Sequence, residues 1–189
     1  MTFDAGWIHT HSNHQVWPLE AAGTVTLIDI AHSLSHVCRF GGHTREFYSV
    51  AQHSVLASQL IAPEFAAWGL MHDAAEAYLG DITRPLKRCL WANLAQDEDA
   101  IHVYKHINQI EADLQQHIAN VFGLTWPAPW CEIDPVDSAL LHSERRVLLG
   151  PAPAEWGPKV EYPAVCIKPV SSKEAKQMFL ARAKELGIQ

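Results

Sequence analysis

The segment Gly69-Leu70-Met71-His72-Asp73-Ala74-Ala75-Glu76-Ala77-Tyr78-Leu79-Gly80-Asp81 sets an imidazole beside a carboxylate in apolar surroundings. A second carboxylate, Glu76, follows about one helical turn later, and a third, Asp81, lies past a glycine. Ionisable groups of this density are expensive to bury unless a cation or a hydrogen-bond network compensates them. A fold that accommodates this run must bring compensating partners to His72 and Asp73. That requirement points to a metal ion, with further ligands elsewhere in the chain.

A chain of 189 residues is expected to form one domain with a sizeable core. Its formal charge of −7 disfavours extended contact with a nucleic-acid backbone, although a local basic cluster can still receive an anionic small molecule. Cys38, Cys89, Cys131 and Cys166 form no CxxC pair, which argues against a zinc ribbon or a redox motif. Lone thiols, no signal-like start and no apolar stretch of spanning length predict a soluble, cytoplasmic protein without a membrane partner.

The segment over 7–27 reads as short strands or a loose hairpin punctuated by Asn13 and Gly23. From Ile28 the pattern becomes helical, with Ile28, Ala31, Leu34 and Val37 on one face and Asp29 near the N-terminus. Paired glycines break it at Cys38–Thr44. A second helix is expected from about Glu46 to Ile61, and a third from Pro63 through the His72-Asp73 run to Gly80. Asp97 to Gly123 reads as a long helix with Ile101, Tyr104, Ile107, Leu114, Ile118 and Val121 as its apolar stripe and Gly123 as its C-cap. Trp126-Pro127-Ala128-Pro129-Trp130 is a rigid connector before a helix over roughly Pro135 to Leu149. Residues 150–169 are rich in proline and glycine, Tyr162 to Ile167 suits a short strand, and Ser171 with Glu174 is spaced as a capping box.

On a helix, His72, Asp73 and Glu76 project toward one side, with His72 and Asp73 about 100° apart around the axis. Ligands on one helix leave a coordination sphere open. His53, mid-helix among core-like residues, is the first further candidate, and Asp137 the second. Asp134 rivals Asp137 and is better placed as an N-cap before Pro135; the spacing into Ala139-Leu140-Leu141 favours Asp137, inside the helix. Two imidazoles and two carboxylates would neutralise one divalent ion and leave octahedral positions open. That set suits Mn, Co, Ni, Fe or Mg better than a closed tetrahedral zinc site.

His53, then His72-Asp73, then the distant Asp137, with Ala74-Ala75-Glu76, Gly80-Asp81, Pro85 and Lys87 between, resembles the HD-domain metal-dependent phosphohydrolases over about 28–149. The likeness is closest to small bacterial and phage 5′-deoxynucleotidases and deoxynucleoside triphosphohydrolases. It implies that His53, His72, Asp73 and Asp137 hold one divalent ion. The fold implied is an all-α HD-domain helical bundle; a small N-terminal β-hairpin over 1–27 and a C-terminal extension over 150–189 are expected outside that likeness. It also implies cleavage of a phosphoester or phosphoanhydride bond of a (deoxy)nucleotide by metal-activated water. Glu76, one turn beyond the ligands, and then Asp81 are the choices for proton transfer. Related nucleotidases place an Arg-aromatic pair upstream of the first histidine, and Arg39-Phe40 looks similar, with phenylalanine where the nucleotidase pattern has tryptophan. Guanidinium geometry suits phosphate, and Lys87, Arg84 and Arg145 are secondary candidates. A homodimer follows only by analogy with those enzymes.

Two other readings belong to different classes: an HD-fold ligand-sensing module without turnover, and a di-iron HD-fold oxygenase. The pairs His32/His36 and His102/His106 stand four apart, a spacing that seldom binds metal in isolation. His9, His11 and His14 look like a mobile N-terminal cluster. Trp68, Trp91, Trp126, Trp130 and Trp156 are expected in core or connector packing.

Overall fold

Three hydroxyl side chains start three of the helices. Thr26 accepts from the Asp29 N–H to open α1 (Leu27–Leu34), Ser49 from Gln52 to open α2 (Val50–Leu60), and, much later, Ser171 from Glu174 to open the C-terminal helix. Each satisfies a backbone donor that the first helical turn leaves unpaired. The computed structural model describes residues 6–94, 98–154 and 165–189. Between them run α3 (Ala66–Met71), α4 (Glu76–Leu79), α5 (Arg84–Leu94), α6 (Glu98–Val121), α7 (Trp130–Leu148) and α8 (Ser172–Glu185). Among the described residues no helix is long and apolar enough to cross a membrane.

The N-terminal segment forms a three-stranded antiparallel sheet rather than one hairpin. Its order is β1 (Ile8–His9), β2 (Gln15–Trp17), β3 (Ala22–Gly23), in the register Ile8↔Val16 and Val16↔Gly23. Gly23 has φ +112°, and a side chain there would collide with the Gln15 carbonyl. Val16 is fully buried in the main core, so the sheet is built into the body of the protein.

Two helix registers differ from expectation. In α1 the buried face is Ile30, Ala31 and Leu34, while Ile28 is exposed and Val37 lies past the end. The cause is Asp29, which turns inward to accept from the Ser12 N–H (2.7 Å) and the Thr26 hydroxyl (2.8 Å). Helix α2 starts four residues after Glu46, because the chain before it pairs with the Cys38 segment (Arg39 N–H to Tyr48 O, 3.0 Å; Val50 N–H to Val37 O, 3.0 Å).

The single helix expected from Pro63 to Gly80 is interrupted at its most ionisable point. Pro63–Phe65 is a 3-10 turn, α3 ends at Met71, and α4 begins at Glu76. An unbroken α-helix would bond the Ala75 N–H to the Met71 carbonyl. Here the Gln115 amide, from α6, takes both groups: its Nε2 donates to Met71 O (2.7 Å) and its Oε1 accepts from Ala75 N (2.9 Å). A side chain inserted into the ladder breaks the helix, and His72 and Asp73 sit in the tight turn that results.

Helix α6 has Leu114 and Ile118 fully buried, whereas Val121 is exposed. Gly123 (φ +66°) closes the helix as expected, with Leu124 N–H bonded to Ala119 O at 2.9 Å. The side chains of Trp91, Ile101, His102 and Tyr104, and residues Asp97, Trp156 and Tyr162–Ala164, lie outside the described residues; Val165–Ile167 form no strand. Helix α7 begins at Trp130, five residues before the expected start. Pro135 lies inside it, where a missing N–H leaves the Cys131 carbonyl without its helical donor. Asp134 is therefore an exposed interior position and not an N-cap. Trp130 is also exposed, against the packing expected of it, while Trp68 is buried and meets Trp126.

Helix α8 is core rather than an extension. Ala175, Phe179 and Ala183 are fully buried against α1, α2 and α3, and Arg182 clamps Ser58 through its hydroxyl (2.8 Å) and carbonyl (3.0 Å). Close approach of α2 and α3 depends on Gly69, where a Cβ would lie 2.9 Å from Ser58 Cα. Gly69→Ala is expected to lower stability by about 1–3 kcal/mol, since backbone cannot yield as a side chain end does. Urea denaturation checks this, and an unchanged midpoint would contradict the packing described.

Candidate metal centre

His53 lies at the start of α2 and is fully buried. Its Nδ1 stands 2.7 Å from Glu144 Oε1, and the Nδ1 of His72 stands 2.9 Å from Gly69 O. A carbonyl and a carboxylate only accept, so both rings carry their proton on Nδ1. The two Nε2 lone pairs then face a common space. Both Nε2 atoms are buried, and neither has a hydrogen-bond partner in suitable geometry among the described residues. Asp73 Oδ2 enters the same space, 3.2 Å from His72 Nε2 and 3.8 Å from His53 Nε2. One ligand atom from each of His53, His72 and Asp73 lies within 4.8 Å of the others, a grouping that could hold a metal ion. Leaving buried polar nitrogens unsatisfied costs about 1–3 kcal/mol each, and a cation removes that cost for both.

The expected fourth ligand, Asp137, abuts this group through His53, with Oδ1 3.1 Å from Nε2, while its Oδ2 accepts from Arg84. Glu76 lies beyond Asp73; its Oε2 is buried without a hydrogen-bond partner. Burial first, then Asp73 and Asp81, push the Glu76 carboxyl well above its usual range, and burial with Asp73 raises Asp81. Burial opposes ionisation of Asp73, but His72 and His53 hold it down at about 2. Burial and Arg39 oppose the His53 imidazolium, yet Glu144 and Asp137 prevail and push it up to about 9 in the metal-free protein, so an ion that binds there displaces the Nε2 proton and takes the lone pair it leaves.

Arg39 is buried, with its guanidinium 3.2 Å from Glu144 Oε2, 3.6 Å from Asp73 Oδ2 and 3.9 Å from Asp137 Oδ1. It follows Cys38 in a turn where Phe40, Gly41 and Gly42 all have positive φ (56°, 58° and 79°), and the Phe40 ring centroid is 5.9 Å from the guanidinium carbon. Lys87 is half-buried and pairs with Glu111 at 3.0 Å.

Glu144 is the residue that the sequence reading did not single out. It is fully buried and accepts from Tyr48 Oη (2.8 Å) as well as from His53. Its position seven residues after Asp137 was the available signal, because two helical turns return to the same face.

The N-terminal histidines are held rather than mobile. His9 meets Asn13 at 3.0 Å, His14 meets Asp29 at 3.3 Å, and His11 stacks on His32 with ring centroids 3.8 Å apart. Among the described residues, His53, His72 and Asp73 are the one group of three or more ligand-type side chains so gathered.

Helices and site together define a mainly helical protein carrying a buried His-His-Asp group able to hold a metal ion. No protein-family model matches the chain. It is 38% identical over 167 residues, covering 86% of this chain and 85% of the relative, to the uncharacterized protein YfdR of Escherichia coli (strain K12), and it belongs to that protein's family. It is also 34% identical over 92 residues to an uncharacterized protein of Rhodobacter capsulatus, RCAP_rcc00048, covering 44% of this chain and 47% of that one.

Proposed function

We propose that the protein is a metal-dependent phosphohydrolase of the HD-domain class acting on nucleotides, deoxynucleoside monophosphates first and triphosphates second. The observation that carries this reading is the pair of buried, partnerless Nε2 atoms of His53 and His72 facing Asp73. The nitrogen and carboxylate donors fit a borderline divalent ion such as Mn, Co, Ni or Fe, with Mg as the harder alternative. When bound, such an ion supplies Lewis acidity toward a phosphoryl oxygen and lowers the pKa of water. The chain's own groups supply the rest. Glu76, whose carboxyl burial pushes well above its usual range, fits the role of proton donor to a leaving oxygen, and Asp81 backs it. Arg39 balances Asp73, Asp137 and Glu144; a phosphate oxygen would exchange for one of those contacts. Arg84 is the more accessible cation at the same rim, half-exposed and reaching Asp137. The free thiols Cys38, Cys89, Cys131 and Cys166 support a reducing, cytoplasmic setting.

A panel of nucleotides incubated with Mn or Co and read by phosphate release tests the proposal. Release from at least one nucleotide is expected, falling by at least about a hundredfold when a chelator removes the ion. Nucleotide binding without release across the whole panel would replace hydrolysis by ligand sensing. Release indifferent to the chelator would also refute it.

A further inference from the structure

Against Ala77 and Tyr78 of α4 lies a cavity of about 470 Å³ whose lining includes none of His53, His72, Asp73 and Glu76. This size falls within the range of small-molecule sites. Ala77 and Tyr78 of α4 form one wall, and His32 of α1, His36 just past its end and His11 of the N-terminal sheet region form another. His11 stacks on His32 at 3.8 Å between centroids, and the His36 ring lies tilted against His32 at 4.5 Å.

The available hydrogen-bonding groups indicate what would fit. Lys176 Nζ lies 3.5 Å from His32 Nδ1. An ammonium can only donate, so His32 carries its proton on Nε2 as a free donor. The Tyr78 side chain is about nine-tenths buried, and its hydroxyl has no hydrogen-bond partner among the described residues. Asp29 is the acid on the wall, and its oxygens are already taken by Ser12 N–H, the Thr26 hydroxyl and His14. The His36 Nδ1 is likewise committed, to His32 O at 2.8 Å, and these imidazoles do not gather as a metal group. Ile8, Val37 and Ala77 supply apolar surface beside the donors.

We infer that this cavity is a second ligand site, taking a small oxyanion whose oxygens accept from His32 Nε2–H and the Tyr78 hydroxyl beside the Lys176 charge, with its apolar part against Ile8 and Val37. The site is independent of the metal centre and of any turnover there. A buried hydroxyl without a partner is costly, and an anionic acceptor supplies the missing bond.

The test uses the full chain, stripped of divalent ions by a chelator, with imidazole ¹H–¹⁵N resonances assigned through H11Q, H32Q, H36Q, H53Q and H72Q. Inorganic phosphate and benzoate are titrated separately at pH 6.5. Saturable shifts at His32 and His36, with His53 and His72 unmoved, are expected for at least one anion. Saturation by phosphate alone assigns a phosphoryl ligand; by benzoate alone, a carboxylate. Tyr78→Phe should fold with an equal or higher melting temperature, because its hydroxyl has no protein bond to lose, yet bind about threefold to tenfold more weakly. Absence of saturation with both anions, saturation confined to His53 and His72, or equal affinity in Tyr78→Phe would overturn the inference.

Discussion

Asp73→Ala is expected to remove stoichiometric divalent-ion binding and to reduce phosphate release to the metal-free background. Asp73 is the carboxylate that lies within reach of both orphaned imidazole nitrogens, at 3.2 and 3.8 Å. Removing a directly ligating carboxylate should weaken affinity by more than the 10- to 100-fold, roughly, that supporting residues contribute. The chain should still fold. Asp73 occupies the turn between α3 and α4, and the turn is held by the Gln115 amide rather than by the Asp73 side chain. The substitution also relieves repulsion with Asp137 and with Glu76. Calorimetric titration with Mn, alongside far-UV circular dichroism, reads both halves. Undiminished Mn affinity in the variant would dissolve the metal centre as drawn.

Glu144→Ala should produce the largest loss of stability. It strips the acceptor from His53 Nδ1–H and from the Tyr48 hydroxyl, and leaves Arg39 buried beside a vacated position. Breaking a buried ion pair from one side costs about 3–5 kcal/mol, a large fraction of the stability of an ordinary domain. Glu144→Gln separates folding from metal binding. Its amide oxygen can still accept from His53 and Tyr48, but its NH₂ faces the Arg39 guanidinium and the negative charge behind His53 is gone. A milder loss of stability is expected, together with Mn affinity weakened about 10- to 100-fold, because the carboxylate both orients the ring and raises its basicity. Urea denaturation and Mn titration on the two variants check this. Wild-type Mn affinity in Glu144→Gln would mean that the carboxylate does not tune His53.

The readable parts of the site were those in which chemistry and spacing coincide. His72-Asp73 within an apolar run and Glu76 one turn on declare themselves locally, since an ionisable group in an apolar stretch calls for an explanation, whereas His53 stands out only in combination with that run and Asp137. Asp137 over Asp134 followed from helical placement, and the structure sets Asp137 against His53 while Asp134 is exposed. Arg39 stands out through the likeness of Arg39-Phe40 to the nucleotidase Arg-aromatic pair, and its burial among three carboxylates has no signal in that turn.

Helix content and the caps at Ser171 and Gly123 depend on local backbone preferences and short-range periodicity, which the order of residues encodes directly. The break at His72, the late start of α2, the membership of α8 in the core and the grip of Glu144 on His53 depend instead on tertiary partners, such as Gln115 for the His72 turn and Ser58 for α8. Gln115 competes successfully for the Met71 carbonyl and the Ala75 N–H only once α6 lies against that turn. Such contacts carry no local signature, because a polar side chain reads the same whether it ends in water or in the gap of another helix.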